Sequence, residues 1–271
     1  MTQLEGKVAL ITGAARGQGR SHALALAAEG VDVILVDLCA PVSPEVEYPP
    51  ATEAELHDVV SEVEKLGRRA LAHVLDTRDA AALTAAVEGS AEKLGGVDIV
   101  LANAGYVSWQ RFWEMPVEQW QSMIDVTLTG TFNTLKAAAP RMIEQGRGGS
   151  IVITSSAAGL KAFPGQMHYS TAKHGLVGLT KAAALELGPY GIRVNSLHPF
   201  VVDTHMGQRT ERMLRLIADN PSYTLSLGKV LADPPHLTCA DVSAAVLYLL
   251  SPAARLITGD QLRLDAGQGL V

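Results

Sequence analysis

Cysteine is scarce in this chain. There are two in 271 residues, Cys39 and Cys239, and they form no CxxC pair. That excludes a disulfide framework and a cysteine-ligated zinc site, and it fits a reducing compartment. Positive charge is also short: Lys plus Arg is 22 against 28 Asp plus Glu, a net charge of -6. Without a basic stripe, nucleic acid is not an expected partner. No apolar run reaches the roughly 18 residues of a membrane-spanning helix. Residues 1–7 lead into a strand with no signal-peptide core, so the expectation is a cytoplasmic protein with no membrane partner. The eight histidines show no HExxH or other ligand spacing, and no metal is expected. A Gly-x-Ser-x-Gly elbow is missing, which disfavours a serine hydrolase. No repeat of 20 to 50 residues points to a solenoid.

What is present is apolar material, 48% of the chain, enough for a large core and too much for a disordered state. The length is long for one domain and short for two, and a single domain over 1–271 is the better expectation. Residues 8–12, 31–37, 70–76, 97–102, 150–155 and 191–197 read as strands, each a nearly continuous apolar run. Helical stretches begin near Gly17, Thr52, Asp79, Pro116 and Gln166, and a helix over 239–250 and a strand over 261–265 close the chain. This alternation predicts an α/β fold, a doubly wound parallel sheet of Rossmann type with helices on both faces.

Two segments break the rhythm. Residues 38–51 carry Pro41, Pro44, Pro49 and Pro50, so they are not helical throughout, and they exceed a usual βα loop. Residues 204–237 mix an amphipathic piece with Pro221, Pro234 and Pro235. Both follow strand carboxyl ends, where such sheets bind ligands, which favours a covering role over surface decoration.

The run Thr12-Gly13-Ala14-Ala15-Arg16-Gly17-Gln18-Gly19 sits where the first strand turns into the first helix. Glycines there permit a tight turn and close approach of backbone N–H groups to a pyrophosphate, which the helix dipole also attracts. Eighteen residues after Gly19, Asp37 ends the second strand. A carboxylate there accepts from the ribose hydroxyls and repels a 2′-phosphate, so NAD is expected over NADP. Arg16 pulls the other way, as a cation able to pair with that phosphate. Asp76-Thr77 and Asn103-Ala104-Gly105, at the next two strand ends, are placed to line the adenine and the middle of the cofactor; bracing of a local turn by Asn103 is the alternative.

Tyr169 and Lys173 are four apart in a helical stretch and share a face. A neighbouring ammonium favours phenolate and is expected to lower the tyrosine pKa, making a general acid/base for an alcohol or carbonyl. Ser156, thirteen residues earlier and just past the fifth strand, is placed to hold a substrate oxygen. His168 beside Tyr169 is either a substrate contact or plain packing. Trp109, Phe112, Trp113 and Trp120 either wall an apolar pocket suited to an alicyclic or terpene-like alcohol, or pack helices together.

Together, the Thr-Gly-x-x-x-Gly-x-Gly turn, Asn103-Ala104-Gly105, Ser156, Tyr169-x-x-x-Lys173 and the terminal Asp265-Ala266-Gly267 resemble the classical short-chain dehydrogenases/reductases over nearly the whole chain. The resemblance implies that Tyr169 moves the proton, Lys173 tunes it and binds the nicotinamide ribose, and Ser156 polarises the substrate. It implies adenine contacts from Asp76 and Thr77, a carboxamide contact from Thr204, and further cofactor contacts from Leu38, Pro199 and Val202. A homotetramer is usual in the family. Three departures stand out: Thr127 where the family has an Asn of its proton relay, Phe200 where it has Gly after Pro199, and the insertion over 38–51.

That insertion, with Asp37-Leu38-Cys39, Tyr48-Pro49, the Arg20-Ser21-His22 continuation of the turn, His168 and His174, resembles the mycofactocin-coupled subgroup that includes carveol dehydrogenase-like enzymes. The resemblance implies tightly held NAD and a separate redox carrier, mycofactocin. An ordinary exchanging NAD(P)-dependent dehydrogenase or 3-oxoacyl reductase stays open, as does an NAD-binding redox sensor. The intact Ser156, Tyr169 and Lys173 argue against the sensor.

Overall fold

In the computed structural model, which describes residues 4–271, the strands are β1 (Val8–Thr12), β2 (Asp32–Asp37), β3 (Ala70–Val74), β4 (Ile99–Ala102), β5 (Gly149–Thr154), β6 (Ile192–Pro199) and β7 (Gln261–Leu264). They form one parallel sheet in the order β3-β2-β1-β4-β5-β6-β7. The order reverses between β1 and β4, and the crevice outside their carboxyl ends is where such a sheet receives a ligand.

Among the described residues eight α-helices connect and cover the sheet: α1 (Gly17–Ala28), α2 (Glu53–Lys65), α3 (Ala80–Leu94), α4 (Val117–Met123), α5 (Gly130–Gln145), α6 (Met167–Leu187), α7 (Glu211–Asp219) and α8 (Cys239–Leu250). Their starts follow local chemistry. Thr52 and Glu55 form a reciprocal capping box at α2, Thr238 and Asp241 do the same at α8, and Asp79 caps α3 by accepting from Ala82 N–H at 3.0 Å. Residues Ile124–Thr129 form a π-helical turn between α4 and α5.

Strand alternation divides the core in two. Ile11, Val33, Leu35 and Leu101 face one way, against Leu26 of α1, Leu56 of α2 and Val246 of α8. Leu10, Ile34, Val36 and Val100 face the other, against Leu83 of α3, Met142 of α5 and Leu176 of α6. The expected burial on both faces holds for the inner strands, whereas the edge strands β3 and β7 are only partly covered.

Strand ends differ from the expected ones by up to two residues, for visible reasons. β3 stops at Val74 because only the Leu75 N–H still reaches the Asp37 carbonyl, at 2.9 Å. β4 starts at Ile99 because the Val97 N–H is taken by Gln145 Oε1 at 2.8 Å. β6 runs on to Pro199, which pairs with Leu264 of β7.

The two irregular segments lie over the sheet's carboxyl edge and meet each other. Residues 38–51 contain no helix or strand. Their Glu45 forms an ion pair with Arg212 of α7, and Glu47 Oε1 accepts from the Arg212 N–H at 3.2 Å. The Tyr48 hydroxyl accepts from the Val107 N–H at 3.3 Å. Segment 204–237 holds α7 between two 3-10 turns, His205–Gly207 and Pro221–Leu227.

Candidate active site

The β1–α1 turn is compact to the limit of what a side chain allows. A Cβ at Gly19 would lie 2.0 Å from the Gly13 carbonyl oxygen, and one at Gly13 would lie 3.0 Å from Ala104 Cα. Arg16, the residue before α1, makes no side-chain cap, so the first N–H groups of α1 are left for an anion. Thr12 and Asn103 lock the turn to β4: Thr12 Oγ1 accepts from the N–H groups of Asn103 and Ala104, each at 3.1 Å. Asn103 Nδ2 in turn donates to the Thr12 and Gly13 carbonyls at 3.2 and 3.3 Å. Asn103 therefore braces the turn as well as lining the cleft.

Beside this turn lies a cavity of about 420 Å³ lined by Gly13, Arg16, Gly17, Asp37, Leu38, Asp76, Thr77 and Ala104, with the insertion as its roof. A second cavity, about 480 Å³, is lined by Ser156, Tyr169, Lys173, Pro199 and Val202. Gln18, Asn103, Gly105 and Thr204 line both, so the two are halves of one cleft. Every residue expected to touch the cofactor lines one half or the other except Gly19, which packs beneath the turn.

Asp37 Oδ2 accepts from the Ala15 N–H at 2.9 Å and Oδ1 from the Cys39 N–H at 3.1 Å, fixing the carboxylate at the cavity wall. Arg16 departs from the phosphate-pairing role weighed for it. Its guanidinium donates to the carbonyls of Pro49 and Pro50, the latter at 3.2 Å, and holds down the insertion. Asp76 is partly buried, which raises its pKa, but hydrogen bonds from Arg78 outweigh that and keep the carboxyl below its ordinary value.

Ser156 lies two residues past β5 in extended conformation, φ -171°, and starts the 3-10 turn Ala157–Gly159. Its Oγ accepts from the Ala158 N–H at 3.1 Å, which leaves the hydroxyl proton free to be donated. Tyr169 and Lys173 come from the first turns of α6, both buried. Lys173 Nζ donates to the Thr154 carbonyl at 2.8 Å and sits 5.6 Å from the centre of the Tyr169 ring.

That placement corrects one expectation. Burial raises the Tyr169 pKa, opposed by a hydrogen bond with the Ser156 side chain, and Lys173 does not lower it. Burial instead pushes Lys173 down to about 7. Desolvation acts on both groups, and the Lys173 nitrogen lies over the Tyr169 ring.

Residues 7–215 match the family described as short chain dehydrogenase. The chain belongs to the short-chain dehydrogenase family. It is 48% identical to (-)-trans-carveol dehydrogenase of Rhodococcus erythropolis, over 100% of both chains. It is also 48% identical to an uncharacterized NAD-dependent oxidoreductase of Mycobacterium tuberculosis, over 97% of this chain and 96% of that one. Among solved structures, carveol dehydrogenase from Mycobacterium avium in complex with NAD superimposes with TM-score 0.93 at 42% identity, covering 100% of both chains. A short chain dehydrogenase from Mycobacterium paratuberculosis bound to NAD gives TM-score 0.96 at 42% identity, over 99% of this chain and 100% of that one.

In this short-chain dehydrogenase the surroundings of the aromatic residues, His168 and Thr127 decide between the roles weighed for them. The aromatic residues after β4 do not gather: Trp109 lines the second cavity, but Phe112 and Trp113 are 56% and 62% exposed and stack edge-to-face at 5.1 Å. Trp120 is half-buried in α4. His168 is a packing residue, its Nε2 2.7 Å from Ser108 Oγ, and burial lowers its pKa to about 4. Thr127, in the π-helical turn, gives its hydroxyl to Met123 Sδ at 3.3 Å, while its carbonyl accepts from Thr131 Oγ1 at 2.8 Å.

Phe163 and Gln268 also line the second cavity and were not singled out from the sequence. Phe163 lies between Ser156 and Tyr169, and Gln268 directly follows Asp265-Ala266-Gly267, so each position carried a signal. Among the described residues no group of three or more His, Cys, Asp or Glu is placed to hold a metal, and no helix is long and apolar enough to cross a membrane.

Proposed function

We propose that this dehydrogenase interconverts an apolar secondary alcohol, alicyclic or terpene-like as carveol is, and its ketone, using NAD held tightly under residues 38–51. One observation carries the reading: Ser156, Tyr169 and Lys173 stand together on the wall of a cavity that also contains Val107, Trp109, Phe163, Phe200, Met213 and Leu227 and opens into the nucleotide cavity. An apolar pocket with a few convergent polar groups suits a hydrophobic alcohol.

The residues present fit NAD. The glycine turn has no room for a Cβ at Gly19, the α1 N-terminus is uncapped by side chains, and Asp37 presents a fixed carboxylate on the wall of the nucleotide cavity, which disfavours a 2′-phosphate there. Gly13, Gly17 and Gln18 would hold the pyrophosphate, Asp37 and Leu38 the adenosine ribose, Asp76 and Thr77 the adenine, and Asn103, Pro199, Val202 and Thr204 the nicotinamide half. When bound, NAD supplies the hydride acceptor.

In oxidation, Ser156 donates a hydrogen bond to the substrate oxygen, and Tyr169, having first released its own proton to solvent, takes the hydroxyl proton as the carbinol C–H bond breaks. Lys173 lies against the Tyr169 ring and contributes to the nicotinamide ribose site. The same groups serve reduction, with Tyr169 returning the proton.

The insertion supports slow exchange of the cofactor, because Arg16, Arg212 and Tyr48 fasten it to the turn, to α7 and to the loop after β4. Electrons then leave to a separate carrier, mycofactocin in the subgroup the chain resembles, and a homotetramer is the assembly that resemblance implies. The test is to purify the protein without added cofactor, dialyse it, denature it and measure released NAD by mass spectrometry. Near-stoichiometric NAD is expected, with single-turnover reduction of that NAD by an alicyclic alcohol. An empty site that binds added NAD reversibly would leave a conventional exchanging dehydrogenase.

A further inference from the structure

We propose that His198 is a positioning residue for the reaction: its imidazole holds the Ser156 backbone and so sets the direction of the Ser156 hydroxyl. The inference rests on the reading above that Ser156 polarises the substrate oxygen. His198 touches neither cavity and lies wholly buried in β6.

The geometry around Ser156 shows why such a residue is needed. β5 pairs with β6 as far as Thr154 and Leu197, and the Ser155 N–H makes the last main-chain bond to β6, reaching the Leu197 carbonyl at 2.9 Å. Beyond that point the sheet ladder ends. Ser156 is then held locally by its own 3-10 turn, its Oγ by the Ala158 N–H at 3.1 Å and its carbonyl by the Gly159 N–H at 2.8 Å. The bond that ties it back to the sheet is His198 Nδ1 to the Ser156 carbonyl, 2.8 Å. A side chain takes over where the backbone ladder stops.

The tautomer follows from the partners. A carbonyl only accepts, so Nδ1 carries the proton, and Nε2 is left as an acceptor for the Ser196 hydroxyl 2.9 Å away. Ser196 Oγ has a longer contact of 3.3 Å to the Asp260 carbonyl, so the imidazole is its nearer partner. The arrangement differs from that of the other two wholly buried histidines. His22 Nε2 and His168 Nδ1 have no hydrogen-bond partner, whereas both nitrogens of His198 are used. Burial holds the His198 pKa down at about 4, so the ring is neutral at neutral pH and keeps one donor and one acceptor.

A reacting group displaced by about 1 Å typically costs on the order of 100-fold in rate. His198→Leu removes the donor at similar bulk. His198→Asn keeps an N–H near the Nδ1 position, and His198→Gln places its amide where Nε2 was. The assay is single-turnover oxidation of (-)-trans-carveol by protein loaded with NAD, alongside NAD affinity and thermal unfolding. Expected are a 10- to 100-fold fall in rate for His198→Leu, NAD affinity within about twofold, recovery of most of the rate in His198→Asn, and little recovery in His198→Gln. On a Ser156→Ala background, His198→Leu should cost almost nothing more, because the two residues act as one unit.

Full activity in a folded His198→Leu protein would overturn the proposal, as would an undiminished effect of His198→Leu on the Ser156→Ala background. If His198→Leu does not fold, equal rates in the Asn and Gln variants would overturn it. Independently of any substrate, nitrogen-15 NMR of the histidine rings reads the tautomer, and a proton found on His198 Nε2 rather than Nδ1 would also sink it. Should Ser156→Ala alone retain full activity, the reading of Ser156 fails, and the NMR result still decides the His198 geometry.

Discussion

Arg16 and Pro50 meet across the mouth of the nucleotide cavity, the guanidinium donating to the Pro50 carbonyl at 3.2 Å and to the neighbouring Pro49 carbonyl as well. A cation in the glycine turn is thus committed to the insertion, and the insertion is tied on its far side to Arg212 of α7 through Glu45 and Glu47. On the proposed reading of a tightly held cofactor, release of a bound nucleotide requires one or both of these ties to open. Each is partly exposed, so each is worth about 1 kcal/mol, or roughly fivefold in rate. Arg16→Ala and Arg212→Ala should each speed NAD dissociation about fivefold, and the double variant more. Stopped-flow fluorescence of NAD displacement measures this. Unchanged off-rates in the double variant would show that the insertion does not retain the cofactor.

The proposed role of Asp37 in cofactor choice can be tested directly. Its two oxygens are already fixed by the Ala15 and Cys39 N–H groups, so it cannot swing away from a 2′-phosphate. Replacing it with serine should weaken NAD by about 10- to 100-fold, the worth of hydrogen bonds to a charged group. The gain for NADP should stay small, because Arg16 is engaged with the insertion. Calorimetric titration of Asp37→Ser with both nucleotides checks this, and strong NADP binding would mean that Arg16 lets go of Pro49 and Pro50.

Tyr169 is buried and its pKa is raised, so it is protonated at neutral pH, the form that donates to a carbonyl. Tyr169→Phe removes the acid/base at constant shape and should cost about 100- to 10,000-fold in turnover. NAD affinity should change little, since the ring remains. Steady-state kinetics with parallel NAD titration separate the two. Activity within a few-fold of wild type would take Tyr169 out of the mechanism.

How much of this was legible beforehand varies with how local the cause is. The six earlier strands announce themselves as nearly continuous apolar runs, and the nucleotide turn as glycines at a strand–helix junction, because steric and solvent constraints act within a few residues. Asp37 and the Ser156, Tyr169 and Lys173 set were readable for the same reason, each at a strand end or one helical turn apart. The partner of Arg16 was not, since Pro49 and Pro50 are more than thirty residues away and reach it through the fold. Phe112 and Trp113 failed as pocket walls because sequence adjacency says nothing about which way a loop faces. The direction of the Tyr169 shift was hidden for a related reason: the spacing shows that a lysine is near, while the depth of burial and the lysine's position over the ring are tertiary facts.

Lys173 gives the last prediction, on stability against pH. Its pKa falls from 10.5 in the unfolded chain to about 7 in the folded protein, because burial penalises the charged form. Between those values the unfolded chain binds the extra proton, so stability rises as pH increases from 7 and the penalty is complete below 7. His22, His168 and His198, each held near 4 by burial, and His73, also lowered, act mostly below pH 6.5 and add only a small further rise just above pH 7. Tyr48 and Cys39, both pushed up to about 12, and Tyr169, also raised, oppose the gain as their unfolded forms ionise near pH 9 to 10. The clean interval is therefore pH 7 to 8.5. Denaturant midpoints of cofactor-free protein should climb across it, and Lys173→Met, which has nothing to ionise, should be flatter there and more stable at pH 7. A wild-type midpoint that stays level, matching Lys173→Met, would mean that Lys173 keeps its proton in the fold, through the Thr154 carbonyl and the Tyr169 ring.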